Sequence, residues 1–289
     1  MSHLSLLFVH AHPDDETIST GATMAKYVAA GAKVTLVTCT SGEEGEILVP
    51  ELAHLSSQNQ DKLGEYRQKE LTAAMQELKV TDHRFLGGAG KYRDSGMVGT
   101  EANSHPKSFM QADLLTAASD LVSIIREVKP QILITYDEFG GYGHPDHIQA
   151  HRVAHYAKDL AQVESFKPEL GPAHKILKTY WTAIPFSLAE KGFAQVAGSE
   201  DSKFFGVDSL DEINFLQPDE IITTKIDGRD FLAQKIAALK KHRTQVDLSG
   251  EFFQLMTSMG PEAFGVEYFR RVDPPVEKLN GIIESSFDE

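Results

Sequence analysis

The tripeptide His-Pro-Asp occurs twice. His12-Pro13-Asp14 lies inside the run His10-Ala11-His12-Pro13-Asp14-Asp15-Glu16, and His144-Pro145-Asp146 lies inside Gly140-Gly141-Tyr142-Gly143-His144-Pro145-Asp146-His147. Imidazole and carboxylate are the groups that hold zinc and other divalent metals, so the two runs read as one metal site assembled from distant segments. A catalytic zinc takes three protein ligands and keeps one position open. His12 and Asp15 sit three apart across a proline-fixed turn, and with His147 closing from the second run they make the best triad. Asp14 is then left beside the metal, free to act as general base on a water whose pKa the metal lowers. His144 shares the turn of His147 and can face the leaving group, with Asp146 to orient it. Tyr142, flanked by glycines, can donate its hydroxyl to an oxyanion.

Each of these residues has a plainer reading. Asp15 and Asp146 could simply cap helices, and a histidine beside a proline is commonly a turn residue. Those readings leave unexplained why both turns repeat one tripeptide and together supply four histidines and three aspartates. His151 and His155 follow His147 at i+4 spacing and read as supporting or surface residues. The His-Glu-x-x-His helix of metalloproteases is absent from the sequence.

Two apolar, β-branched stretches, 4–9 and 132–135, run directly into the motifs. The pattern predicts strands at 4–10, 33–40, 83–86 and 131–136, alternating with helices at 16–30, 61–79, 111–128 and 146–160. This βαβα rhythm implies a Rossmann-like α/β fold, a mostly parallel sheet with helices on both faces. With strand order 3-2-1-4, the first and fourth strands are neighbours at the topological switch point, and both His-Pro-Asp turns fall at its carboxyl edge. Residues 1–165 form this catalytic core. Residues 166–289 form a smaller α+β elaboration over the carboxyl edge, with strands at 176–183, 220–226 and 264–270 and a helix at 229–241. Phe231, Leu232, Ile236 and Leu239 would face inward on that helix, and connectors at 167–174 and 197–212 hint at a partly separate lobe.

Long loops at 41–60 and 87–110 exceed an ordinary βα connection and are candidates for substrate contact. Arg67 is in register with Leu71, Ala74 and Leu78, the inner stripe of the second helix, at the end nearest the site, and should point at its mouth. Glu46 and Asp94, from the two loops, could join it as hydroxyl binders; the alternative for each is an exposed ion pair. Met97 lies in the same Gly-rich loop as Asp94.

A net charge of −14 argues against a nucleic-acid partner, which would need a basic stripe. The densest basic run, Lys240-Lys241-His242-Arg243, reads as cations at a helix C-terminus. No apolar run approaches the ~20 residues of a membrane span. The lone Cys39 cannot form an internal disulfide, which fits a cytoplasmic setting, and reads as a small hydrophobe ending a strand.

At these residues the chain resembles the LmbE-like, or PIG-L, family of zinc-dependent N-acetylglucosaminyl deacetylases. The pattern Ala-His-Pro-Asp-Asp-Glu is met by residues 11–16 and His-Pro-Asp-His by 144–147, and the Lys…Ala-Leu…His-x-Thr-Gln pattern falls at 234–245. The runs 42–46, 87–90 and 93–97 resemble the actinobacterial branch that deacetylates N-acetylglucosaminyl-inositol in mycothiol biosynthesis. The resemblance implies zinc, with iron(II) also suited to the site, on His12, Asp15 and His147, and Asp14 as base. It implies Tyr142 and His144 as transition-state partners and Glu46, Arg67, Asp94 and Met97 around an amino-sugar inositol substrate; in the reaction these residues would perform, either His144 or protonated Asp14 is the donor to the departing amine. The nearest rival is an amidase of the same fold acting on mycothiol S-conjugates. A dinucleotide-binding protein is disfavoured, because His-Ala-His-Pro-Asp-Asp stands where Gly-x-Gly-x-x-Gly belongs. A non-catalytic sugar- or metal-binding module would have no use for Asp14.

Overall fold

Strand β1 (Ser5–His10) is buried along its whole length. Leu7 and Val9 join one apolar cluster, while Leu6 and Phe8 join another on the opposite face. That alternation is what a strand covered on both sides requires. A computed structural model describes residues 4–196, 210–247, 250, 260–276 and 280–288 of the chain. The elements continue as α1 (Asp15–Ala29), β2 (Lys33–Thr38), α2 (Leu63–Leu78), β3 (Asp82–Phe85), α3 (Leu114–Val128) and β4 (Ile132–Thr135). After a single turn, α4 (Gly140–Gly143), comes the long α5 (Pro145–Ala161). Then follow β5 (Lys178–Pro185), α6 (Phe186–Val196), β6 (Leu216–Gln217), β7 (Thr224–Asp227), α7 (Leu232–Leu239) and β8 (Val266–Asp273).

The sheet order is β3-β2-β1-β4-β5-β8-β7, with β6 paired to β5. Strands β1 to β5 are mutually parallel, and the expected 3-2-1-4 order is present. Parallel register pairs Leu6 with Ile132 and Phe8 with Ile134, so His10 and Tyr136, two residues on, emerge side by side at the carboxyl edge. Both motifs leave the sheet from these neighbouring ends. Helices α3 and α5 cover one face, their alanines (Ala117, Ala118, Ala150, Ala154, Ala157) giving a close approach; α1, α2 and α7 cover the other.

The later strands extend this same sheet. β8 inserts between β5 and β7 and runs antiparallel to both. The strand expected at 220–226 is shorter and later, because Asp219–Ile221 after Pro218 forms a 3-10 turn. The helix expected at 229–241 narrows to α7 and turns Lys235, not Ile236, into the interior. Lys235 is accepted there because Glu267 neutralises it at 2.7 Å and the missing side chain of Gly21 leaves room for its stem. Most of the 197–212 connector lies outside the described residues. Near the C-terminus, Phe287 is buried against Tyr27, Tyr180 and Phe269, with its backbone N–H donating to the Tyr27 hydroxyl. Among the described residues, no helix is long and apolar enough to cross a membrane.

Candidate metal centre and active site

The first motif bends sharply between β1 and α1. Asp14 takes φ 120°, a region that costs a non-glycine residue roughly 1–3 kcal/mol and is met mainly at functional sites. Its carbonyl accepts from the N–H groups of Thr17 and Ile18, which starts α1, while its own N–H donates to Glu16 Oε2 at 2.9 Å. Asp14 occupies the N-cap position with no side-chain capping bond, and in the second motif the cap is His144, whose Nδ1 accepts from the Asp146 N–H. The carboxylates of Asp14, Asp15 and Asp146 are therefore all free of capping duty. The glycine turn is required too: at Gly140 (φ 70°) a Cβ would stand 2.7 Å from the Cβ of His147 and the backbone N of Ile148.

His12 Nδ1, Asp15 Oδ2 and His147 Nε2 form a triangle with each edge 3.3 Å. Metal–ligand bonds of about 2.0–2.1 Å at tetrahedral angles leave about 3.3–3.4 Å between ligand atoms. The donor set therefore fits a divalent metal of zinc's size. The nitrogens of His12, His144 and His147 also gather within 4.8 Å, as do ligand atoms of His12, Asp94 and Asp146. In those sets, however, the polar atoms are committed elsewhere. His144 Nδ1 takes the Asp146 N–H, so the neutral ring carries its proton on Nε2, and His12 Nε2 faces carboxylates.

Behind the triangle, His12 Nε2 donates to Asp146 Oδ2 at 3.2 Å and lies 3.5 Å from Asp94 Oδ1. This leaves the Nδ1 lone pair of His12 for the metal, the usual support of a ligating histidine. Asp146 also accepts from the backbone N–H and hydroxyl of Ser95, and Asp94 from the N–H groups of Glu44 and Gly96. Asp146 thus orients His12 with its carboxylate, whereas it touches His144 only through its backbone N–H. Burial disfavours a charged His12, but Asp94, Asp146 and Asp15 outweigh it and hold its pKa well above the ordinary value. Asp15 is likewise pushed up by burial and then driven well below the carboxylate range by His147 and His12. This is an environment built to surround a cation. Tyr136 completes it: its hydroxyl accepts from the Ala11 N–H, donates to Asp15 Oδ2 at 2.8 Å, and its ring stacks on His147 at 4.3 Å.

Arg67 is buried, not open at the mouth. It donates to Pro13 O at 2.5 Å, Gly42 O at 2.8 Å and Asp14 Oδ2 at 2.9 Å. Gly42 is obligatory for this clamp, since a Cβ there would lie 2.1 Å from Arg67 Nη1. Burial raises the Asp14 pKa to about 6, with Arg67 pulling it down and the Asp15 charge adding to the rise. Burial and the neighbouring His12 and His147 lower His144 to about 3, so the ring is neutral. Burial beside Asp15 raises the Tyr142 hydroxyl, which stays protonated at neutral pH.

A cavity of about 480 Å³, within the range of small-molecule sites, opens over Asp14, Asp15, Tyr142 and His147. Its outer wall comes from the C-terminal part of the chain, including Ile184, Leu188, Leu216 and Tyr268. Glu46 and Met97 are exposed on their loops, Arg67 and Asp94 are buried, and none of the four lines this cavity. Several residues with a place in the site carried little local signal. Tyr136 only ended a strand, although a phenol at a carboxyl edge next to a motif is such a signal. His242, read as part of a basic run, is fully buried and donates to Glu16 Oε1 at 3.0 Å, while its neighbours Lys241 and Arg243 pair with Glu77 and Glu51. His151 and His155 sit apart from the triangle, bonded to the Tyr136 carbonyl and the Trp181 indole.

A family model described as GlcNAc-PI de-N-acetylase (PIG-L) matches residues 7–158. A protein of Acidothermus cellulolyticus is 57% identical over 266 residues, covering 92% of this chain and 87% of its own. One of Geodermatophilus obscurus is 53% identical over 268 residues, covering 92% and 91%. Both are named 1D-myo-inositol 2-acetamido-2-deoxy-alpha-D-glucopyranoside deacetylase. Among solved structures, N,N'-diacetylchitobiose deacetylase from Pyrococcus horikoshii shares the fold with a TM-score of 0.64 at 19% identity, over 93% of this chain and 84% of that one. With over half its length matched by the family model and relatives more than half identical across nine-tenths of it, the chain belongs to the PIG-L, or GlcNAc-PI de-N-acetylase, family.

Proposed function

We propose that this protein is a zinc-dependent hydrolase that removes the N-acetyl group from N-acetylglucosaminyl-inositol, giving the free amine and acetate. The observation that carries the reading is the 3.3 Å triangle of His12, Asp15 and His147 with Asp14 clamped beside it, in a chain whose near relatives bear that deacetylase name. His12, Asp15 and His147 would hold the metal. When bound, it supplies Lewis-acid polarisation of the acyl oxygen and a lowered water pKa.

Asp14, with its pKa near 6, is ionised at neutral pH and basic enough to take a proton from the attacking water. Arg67 and the strained backbone fix the direction of that carboxylate. As the water oxygen bonds to the acyl carbon, negative charge moves onto the former carbonyl oxygen. The Tyr142 hydroxyl and the His144 Nε2–H are the neutral donors available to it. The C–N bond then breaks, and the proton held by Asp14 passes to the departing amine. Asp146, Asp94 and Tyr136 keep His12 and Asp15 in place throughout.

The test is amine release from N-acetylglucosaminyl-inositol by metal-stripped protein, before and after zinc is restored, with a mycothiol S-conjugate in parallel. Zinc-restored release, faster on the acetamide, is the expected result. Turnover mainly of the conjugate would move the protein to the amidase branch, and silence on both with zinc bound would refute the substrate.

A further inference from the structure

We infer that His242 is a positioning residue for the reaction: through Glu16 it holds the base Asp14 in its strained conformation. The inference rests on the reading of Asp14 as the base. The intrinsic preference of a non-glycine residue does not favour φ 120°, so the contacts around Asp14 must over-determine it. One such contact is the Asp14 N–H donated to Glu16 Oε2 at 2.9 Å. Glu16 can serve there only if its own buried carboxylate is fixed. Its other oxygen, Oε1, accepts from the Thr17 hydroxyl and from His242 Nε2 at 3.0 Å, with glutamate and imidazole both at zero exposure.

His242 arrives from 226 positions along the chain, in the turn that follows α7. That turn is itself tied down. The His242 N–H donates to Leu239 O, and its carbonyl accepts from the N–H groups of Gln245 and Val246. Two residues on, Thr244 donates from its N–H and hydroxyl to the buried Glu70 of α2. An imidazole anchored to both α7 and α2 therefore sets the angle at which α1 begins. Its Nδ1 is buried and has no hydrogen-bond partner among the described residues, whereas its Nε2 meets both Glu16 Oε1 and, at 3.3 Å, the Thr17 hydroxyl, so the ring is present for what its Nε2 holds at the start of α1. Asp14 is thus held on two sides, by Arg67 at the carboxylate and by the Glu16–His242 pair at the backbone.

The experiment compares zinc-loaded His242→Ala, His242→Gln, His242→Asn, Asp14→Asn and the Asp14→Asn/His242→Ala double variant. Glutamine places an N–H donor near the position of Nε2; asparagine falls short of it. Alanine at 242 should lower kcat about ten- to a hundredfold, the cost of a misplaced reacting group, with KM within about twofold and zinc content unchanged. Glutamine should restore most of the loss and asparagine should not. The double variant should be no slower than Asp14→Asn alone, because His242 acts through Asp14. A crystal structure of the alanine variant, or of the asparagine variant if alanine does not fold, should show Asp14 relaxed from positive φ and parted from Glu16. Equal kcat in the glutamine and asparagine variants, an additive double variant, or an undisturbed Asp14 would overturn the inference. If the wild type fails to turn over the glycoside, the substrate reading fails, and the crystal structures alone still decide the role of His242.

Discussion

Replacing Asp146 with asparagine removes one negative charge from behind His12 and almost nothing else. The carboxylate accepts from His12 Nε2 at 3.2 Å, from the Ser95 N–H at 2.8 Å and from the Ser95 hydroxyl, and it is fully buried. An amide oxygen at the Oδ2 position keeps the first two bonds. The NH2 at the Oδ1 position meets Ser95 Oγ, which accepts from the Met110 N–H and from the Ser108 hydroxyl 2.9 Å away, so the Ser108 proton turns outward and Ser95 donates to Ser108 instead. Alanine would instead strand the buried Ser95 N–H and take the 3.2 Å acceptor from His12 Nε2, so its effect would mix folding with metal binding. A hydrogen bond to a charged partner contributes about 1.5–3 kcal/mol against about 0.5–1.5 for a neutral one, so the amide costs His12 roughly 1–1.5 kcal/mol. At 1.4 kcal/mol per decade, zinc affinity should fall about tenfold, the lower end of what such supporting carboxylates confer. Competition against a fluorescent chelator gives the dissociation constant, and thermal unfolding of the apo protein controls for stability. An unchanged zinc dissociation constant in a properly folded Asp146→Asn variant would refute the role assigned to Asp146.

Three further expectations follow from the same geometry. Arg67→Met removes the cation that lowers the Asp14 pKa, so a larger fraction of Asp14 is protonated and inactive at a given pH; the acid limb of kcat/KM should move from near pH 6 to higher pH, and an unmoved limb would exclude Asp14 as the titrating base. Tyr142 is 46% exposed, so Tyr142→Phe should change stability by no more than about 0.5 kcal/mol yet cost about 10²–10³ in kcat as an oxyanion donor is lost; full activity would show that the hydroxyl is idle. Lys235→Met leaves buried Glu267 with the Ala22 and Thr23 amides as its partners among the described residues, which should cost about 3 kcal/mol in urea unfolding, and adding Glu267→Gln should recover part of it. Equal stability of Lys235→Met and wild type would mean that the pair is not desolvated as drawn.

Much of the site was legible because its chemistry is local in sequence. His12, Asp14 and Asp15 share one turn, His144, Asp146 and His147 another, and the apolar strands before them fix where those turns emerge. The order of the first four strands follows from the βα rhythm for the same reason. What escaped depends on partners far away. Arg67 was correctly placed on the inner stripe, but whether it met substrate or Asp14 depended on how closely the Gly42 backbone approaches. Asp94 carried no sign of its contact with His12, which closes a loop of more than eighty residues. His242 was hidden inside a basic run because its acid lies at the other end of the chain. The insertion of β8 between β5 and β7 is a pairing choice that a half-buried strand such as Val266–Asp273 does not announce.

The burial of Phe287 has a bearing on how the protein is made. All three candidate metal ligands are in the chain once residue 147 has been added, but the apolar face shared by α1 and α2 also needs Ile226, Ala238, Phe269 and finally Phe287. At ~5–20 residues per second, that underside of the nascent sheet waits on the order of ten seconds for its last side chain. Vectorial folding from the N-terminus can order the strands, yet it cannot close the molecule. A ribosome that stalls anywhere in the final third releases a chain with its metal-binding motifs complete and its hydrophobic face open.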